Sequence, residues 1–160
     1  MDGNIVFKPI GIIHSPFKEV GNMPIQPLNG KCIKGTIELF PEFTGGLKDL
    51  EGFSHVILIY FFHMITEPKL LVKPFMDDEI HGIFATRAPV RPNPIGISTV
   101  NLICINKNIL EIENIDILDG TPLLDIKPFY PQFDNRNVEH SGWLTSKENN
   151  YEIKSDERFK

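Results

Sequence analysis

Cysteine is scarce. The chain holds only Cys32 and Cys104, far apart and with no CxxC pair or histidine at ligand spacing. A disulfide framework and a structural zinc site therefore have little support, and a reducing compartment is the expectation. Long apolar runs are missing too: the longest, Val56 to Phe62, spans seven residues, against about 20 for a membrane-spanning helix. The early apolar stretch from Ile5 to Ile13 is broken by Lys8, Pro9 and Gly11 and has no small-residue cleavage site, so no targeting segment is expected and the chain reads as cytoplasmic. No GxGxxG follows an apolar run, which removes a Rossmann-type nucleotide site. No GxSxG elbow is present, and His14, His55, His63, His81 and His140 show neither HxH nor HExxH spacing, so serine hydrolysis and metal catalysis are not expected. Positive charge is also short, with 16 basic against 21 acidic residues and a net charge of −5. Bulk electrostatics cannot hold nucleic acid on such a surface, so any contact must be local.

What is present is a chain of 160 residues with 41% apolar and 23% charged residues, enough for one domain with an ordinary core. Thirteen prolines and 12 glycines leave little uninterrupted length for helices. Between them lie runs rich in Ile, Val, Phe and Thr at 4–14, 31–40, 54–63, 80–86, 97–105, 109–117 and 122–129. These predict an all-β fold, a small antiparallel β-barrel or closed sandwich of about seven strands with one or two short helical turns. Ile97 to Ile105 and Leu110 to Ile117, joined through Asn106, Lys107 and Asn108, form the clearest hairpin. Val56 to Phe62 reads as a strand through the middle of the core, apolar on both faces. Helical turns are expected at Leu47 to Leu50 and near Glu67 to Leu71. The barrel domain is expected over 1–134 and a polar appendage or tail over 135–160, with Trp143 as its candidate anchor.

Three segments are richer in special residues than plain turns require. Phe84 to Gly96 carries three prolines, Arg87, Arg91 and Asn93, and no acid. Proline fixes φ and biases the preceding residue toward extended backbone, which presets the directions of these side chains, and an arginine fork matches a carboxylate or phosphate. A merely stiffened connection with solvated arginines is the plainer reading. Asp116 to Pro128 repeats aspartate at 116, 119 and 125, suited to ribose hydroxyls or a cation, although an Asx turn and an Asp125–Lys127 pair would also account for them. Tyr60 to Met64 ends a buried-looking strand in aromatics and His63, a pocket wall or a structurally satisfied histidine.

In their order along the chain, Phe84-Ala-Thr-Arg87, Arg91-Pro-Asn-Pro-Ile-Gly96, Asp116-Ile-Leu-Asp-Gly-Thr-Pro122 and Asp125-Ile-Lys-Pro128 resemble the signature stretches of the TsaA-like, or TrmO-type, family. Ile10 to Glu19, Pro24 to Pro27 and Leu50 to His55 resemble its N-terminal pattern, so the likeness runs from about residue 8 to 130. The resemblance implies a β-barrel enzyme, acting as a homodimer, that uses S-adenosylmethionine to methylate the exocyclic nitrogen of threonylcarbamoyl-adenosine beside a tRNA anticodon. Carried over by position, the cofactor would contact Pro24, Ile25, Gln26, Phe62, His63, Arg87, Ile97, Asp116, Ile117, Leu118 and Asp119. Arg87 would suit the cofactor's carboxylate, an aspartate its ribose, and apolar walls its adenine. Direct in-line transfer is expected, with Asp119 as proton acceptor and Asn93 orienting the substrate. Lys18, Arg91 and Lys127, with Arg87, would form a basic mouth for tRNA. The rival readings are a non-catalytic S-adenosylmethionine sensor or RNA-binding module, and a methyltransferase on another substrate.

Overall fold

The computed structural model describes residues 3–21, 23–25, 32–147 and 154–159. Six strands close into an antiparallel barrel: β1 (Gly11–His14), β2 (Lys34–Leu39), β3 (His55–Phe61), β6 (Ile95–Asn106), β7 (Ile109–Glu113) and β8 (Thr121–Pro128). Their order around the barrel is β1, β2, β7, β6, β3, β8, with β8 returning to β1. Two short strands, β4 (Leu71–Val72) and β5 (His81–Gly82), form a separate ribbon.

Side chains alternate across each strand, so every second residue points into a barrel this small and fills it. Ile13, Ile37, Val56, Leu58, Val100, Leu110, Ile112 and Leu123 form that filling and are fully buried. β3 pairs with β6 on one side and β8 on the other, the central position its apolar sequence predicted. The expected hairpin is β6 to β7, turning at Lys107 and Asn108 with Asn106 opposite Ile109. Lys107 takes φ 58°, and the ladder carries a bulge between Leu102 and Cys104.

Several expected boundaries shift for physical reasons. Residues 4–10 are not strand, because β2 ends opposite Gly11 and Pro9 has no N–H to offer a partner. Residues 80–86 do not enter the barrel: only His81 and Gly82 pair, and Ile83–Ala85 is a 3₁₀ turn. β7 stops at Glu113 because Asn114 takes φ 66°, so Ile115 and Ile117 are buried outside the ladder. The helix expected at Leu47 to Leu50 is two 3₁₀ segments, Pro41–Leu47 and Leu50–Gly52, divided by Asp49 at φ 67°. Residues 67–70 hold bends without a helix. No helix among the described residues is long and apolar enough to cross a membrane.

Antiparallel order fixes which connections share a rim. Residues 15–33, 62–94 and 114–120 all leave or enter the barrel at one end, whereas 40–54 and the β6–β7 turn lie at the other. The long 62–94 connection has its own small core of Val72, Ile83, Ala88 and Val90, capped by Phe159. Trp143 docks beside it, its Nε1 donating to the Ala85 carbonyl at 2.8 Å and its ring stacked on His81 at 4.5 Å.

One position is set by close approach. Gly96 faces Tyr60 across the β3–β6 ladder, and a Cβ there would overlap the Tyr60 ring. Gly96→Ala is expected to destabilise the fold by about 1–3 kcal/mol, as overpacking does. Urea unfolding measures it, and an unchanged midpoint would contradict the assignment.

Candidate functional site

The rim that gathers the three long connections carries nearly all the expected site residues. Phe62 and His63 leave the end of β3, Ile97 is the third residue of β6 and faces outward, and Asp116 to Asp119 lie between β7 and β8. The Phe62 N–H donates to the Pro94 carbonyl at 2.7 Å, which ties the proline-rich loop to this end of β3.

At its centre is a chain of hydroxyls leading to a carboxylate. The Ser98 hydroxyl donates to Asp116 Oδ1 at 2.7 Å, and the buried Tyr60 hydroxyl lies 3.0 Å from Ser98 Oγ. Ser98 has one proton and gives it to Asp116, so Tyr60 donates to Ser98. Burial pushes the Asp116 carboxyl up to about 6, opposed by the Ser98 hydrogen bond and the nearby Arg87 charge. The same burial, with the Asp116 charge beside it, raises the Tyr60 phenol and keeps it a donor. One edge of Asp116 still meets solvent. Arg87 is exposed, near enough for its charge to act on both groups.

Asp119 is a different kind of carboxylate. Its Oδ1 accepts the Ser15 N–H at 3.0 Å and its Oδ2 lies 2.6 Å from Lys18 Nζ, with His14 Nδ1 3.7 Å from Oδ1. The Lys18 hydrogen bond, then that from Ser15, holds its carboxyl below the usual range. It is therefore a poorer proton acceptor than an ordinary aspartate. That weighs against the expected role of Asp119 as base and leaves Asp116 as the better-poised group.

Two clefts flank the Lys18–Asp119 pair. One, of about 540 Å³, has an apolar wall of Val20, Met64, Leu118 and Phe159. His63, Lys18, Glu19 and Asp119 complete its lining. Thr121 gives its proton to the Leu118 carbonyl at 2.7 Å, so His63 Nδ1, 3.4 Å from the same oxygen, must be the donor there. The ring's acceptor lone pair is then on Nε2. Desolvation lowers the His63 pKa, which keeps the ring neutral at pH 7. The other cleft, of about 490 Å³, is lined by His14, Lys18 and Lys34 among others.

The remaining expected residues are placed as follows. Arg91 turns one guanidinium nitrogen onto the carbonyls of Ile83 and Thr86, at 3.1 and 2.9 Å, and so anchors its own loop. Asn93 is exposed in that loop. Lys127 is a correction: it faces Ile57 near the far end of β8, roughly 20 Å of strand from Thr121, and is paired with Asp125 at 2.7 Å. Strand polarity carries it to the opposite rim, outside the basic mouth. Pro24 bridges to Lys154, Ile25 adjoins it, and Gln26 lies outside the described residues. Sequence reasoning missed the role of Ser98 and the contribution of Phe159. Ser98 is a polar residue at an inward position in the alternation Gly96, Ser98, Val100, Leu102, which was a readable signal.

The structure is thus a six-stranded antiparallel barrel whose one rim gathers a cleft with apolar lining, a desolvated aspartate and an exposed arginine. Residues 12–135 match the model of the tRNA-methyltransferase O N-terminal domain, and the chain belongs to that family. It is 58% identical over 156 residues to a Pyrococcus abyssi protein described as a probable S-adenosyl-L-methionine-binding protein, covering 97% of this chain and 85% of that one. It is 37% identical over 135 residues to the Escherichia coli tRNA (adenine(37)-N6)-methyltransferase, covering 78% of this chain and 57% of that one. The crystal structure of TrmO from Pseudomonas aeruginosa superposes with a TM-score of 0.74 at 39% identity, covering 88% of this chain and 63% of that one. The chain thus spans less than two thirds of the length of those last two relatives.

The desolvated carboxylate generates a pH-dependent prediction. Asp116 has a raised pKa in the fold, so stability contributed by its protonated form is complete below about pH 4 and is lost as pH rises through about 6. Asp116→Asn keeps an acceptor for Ser98 without the buried charge. Its stability relative to the natural chain is expected to improve by about 1–2 kcal/mol between pH 4 and 7.5, allowing for the solvent-facing edge. Thermal melts across that range test this, and a pH-independent difference would contradict it.

Proposed function

We propose that the chain is an S-adenosylmethionine-dependent methyltransferase acting on the exocyclic nitrogen of a tRNA adenine, in threonylcarbamoyl-adenosine beside the anticodon. The observation that carries the reading is the convergence on one rim of the 540 Å³ cleft and the Asp116–Ser98–Tyr60 chain, in a member of this family.

The residues present fit the cofactor. The cleft falls within the size range of small-ligand sites and offers an apolar wall beside charged groups, as a nucleoside bearing an amino acid requires. Val20, Met64 and Leu118 would pack on its apolar parts, His63 Nε2 would accept a hydrogen bond, and Arg87 would pair with its carboxylate. When bound, S-adenosylmethionine supplies an electrophilic methyl group on a sulfonium.

The acceptor nitrogen is a poor nucleophile while it carries its proton, so a nearby base is needed. Asp116 takes that role. With a carboxyl near 6 it is ionised at pH 7 yet more basic than a solvated aspartate, and Ser98 fixes its orientation. This replaces the expectation that Asp119 does so. Asp119 and Lys18 instead form the partition between the two clefts. The other cleft carries His14, Lys18 and Lys34 beside Glu111 and Asp119, so a tRNA phosphate would be met there chiefly by Lys34, while Arg91 holds the loop that presents Arg87 and Asn93.

Pairing of two copies belongs to this reading. Phe61, Ile95 and Ile97 lie on the outer face of β3 and β6 and are 38%, 36% and 57% exposed, an apolar stripe suited to a second subunit. Analytical ultracentrifugation is expected to give a dimer at micromolar concentration, and a monomer throughout would remove that part.

Binding without transfer is the alternative, favoured by relatives described only as S-adenosyl-L-methionine-binding. The deciding experiment follows labelled methyl from S-adenosylmethionine into tRNA with and without the threonylcarbamoyl group. Label is expected on the modified tRNA alone, with a rate that rises through pH 6 and falls by about 10²-fold or more in Asp116→Asn. Bound cofactor with no label on either tRNA would favour the sensor reading.

A further inference from the structure

The family match ends at residue 135, yet residues 154–159 are built into the rim. We infer that this C-terminal segment is part of the cofactor site: Phe159 supplies an apolar wall of the cleft, and Ser155 fixes the loop that forms the facing side. The inference rests on the reading of the 540 Å³ cleft as the cofactor's.

Chain ends fray unless something ties them down. Here Ser155 exchanges two hydrogen bonds with Met23. Its N–H donates to the Met23 carbonyl at 2.8 Å, and its Oγ accepts the Met23 N–H at 2.9 Å. The same hydroxyl donates to the Val20 carbonyl at 2.6 Å, and Lys154 bridges to Pro24. Residues 20–24 belong to the β1–β2 connection, and Val20 lines the cleft.

The other end of the segment is tied to a different connection. Arg158 donates to the Pro74 carbonyl at 3.0 Å, lies over the Phe75 ring at 4.9 Å and pairs with Asp156 at 2.7 Å. Phe159 is 4% exposed, packs with Val72, Ile83 and Val90, and meets Phe75 edge-on at 5.0 Å. It also lines the cleft together with Lys18 and Asp119. The segment therefore staples the 15–33 connection to the 62–94 connection, and both Val20 and Phe159 line the cleft.

An aromatic wall beside Met64 and Leu118 suits the flat apolar part of a nucleoside ligand. Phe159 is 4% exposed and shows the cleft little area of its own, so removing it should weaken binding by opening a cavity behind the wall it shares with Val20, Met64 and Leu118, leaving the charged groups in place.

Calorimetric titration of the full chain with S-adenosylhomocysteine tests this. Phe159→Ala is expected to raise Kd about tenfold as the unsupported wall loses its shape, Phe159→Leu to restore most of the affinity, and Ser155→Ala to weaken binding without touching the cleft's apolar wall. Val72→Ala is the control. It opens the same small core but does not line the cleft, so it should lower thermal stability with Kd within about threefold of the natural chain. Unchanged Kd in both Phe159→Ala and Ser155→Ala overturns the inference while leaving the cofactor reading intact. Weakening by Val72→Ala equal to that by Phe159→Ala also overturns it, because the effect would then be general loosening. No binding by the natural chain overturns the cofactor reading itself and the inference with it.

Discussion

Everything at the rim depends on keeping a carboxylate partly inside an apolar barrel. Removing Asp116 from water disfavours its charge, and the largest opposing interaction comes from the barrel side, where Ser98 donates to it and Tyr60 donates to Ser98. Tyr60 can occupy the barrel at that height only because Gly96, opposite it, has no side chain. Glycine, tyrosine, serine and aspartate thus form one steric and electrostatic unit spread over β3, β6 and the β7–β8 connection. Arg87, from the proline-stiffened loop, completes it from the solvent side.

The two aspartates of the 116–119 segment show how position divides chemically identical groups. Asp116 is desolvated with a neutral donor and becomes more basic, whereas Asp119 is tied to Lys18 and the Ser15 amide and becomes less basic. Three residues apart in sequence, they are suited to different work: one to hold or accept a proton, the other to fasten the 15–18 loop to the 114–120 connection. The Asp119 and Gly120 N–H groups, bonded to the Phe17 and Ile13 carbonyls, strengthen that fastening. Permanent charge at the rim is in this way spent on shape, and titratable charge is kept where it is shielded.

The all-β class was legible because short β-branched runs between prolines and glycines leave strands as the economical solution, and the three unusual segments were legible because their composition exceeds what turns need. Their meeting on one rim was not, since that follows from barrel order, which local sequence does not encode. The same gap explains Lys127. It is close in sequence to Asp125 and to the Asp119 turn, but β8 carries it to the far rim, a consequence of strand direction alone. Residues 80–86 have the composition of a barrel strand, yet they pair only within the short ribbon because the 62–94 connection folds on its own core. The sequence also does not separate Asp119 from Asp116 as a base, since it shows acids but not which of them has a lysine within 2.6 Å.

The charge arrangement also bears on how an acidic chain could meet a polyanion. Several cations expected at the mouth are already engaged: Lys18 with Asp119, and Arg91 with the carbonyls of its own loop. Engaged cations still attract phosphate, but each carries less net field, and their directions are fixed before a ligand arrives. Recognition would then lean on shape at the rim and on a few directed contacts, with counterion release supplying a smaller share than in a basic nucleic-acid-binding surface. Such a balance is consistent with a net charge of −5. It also places unusual weight on rigidity, which gives physical purpose to the prolines of residues 84–96, the Arg91 anchor and the C-terminal staple across the same rim.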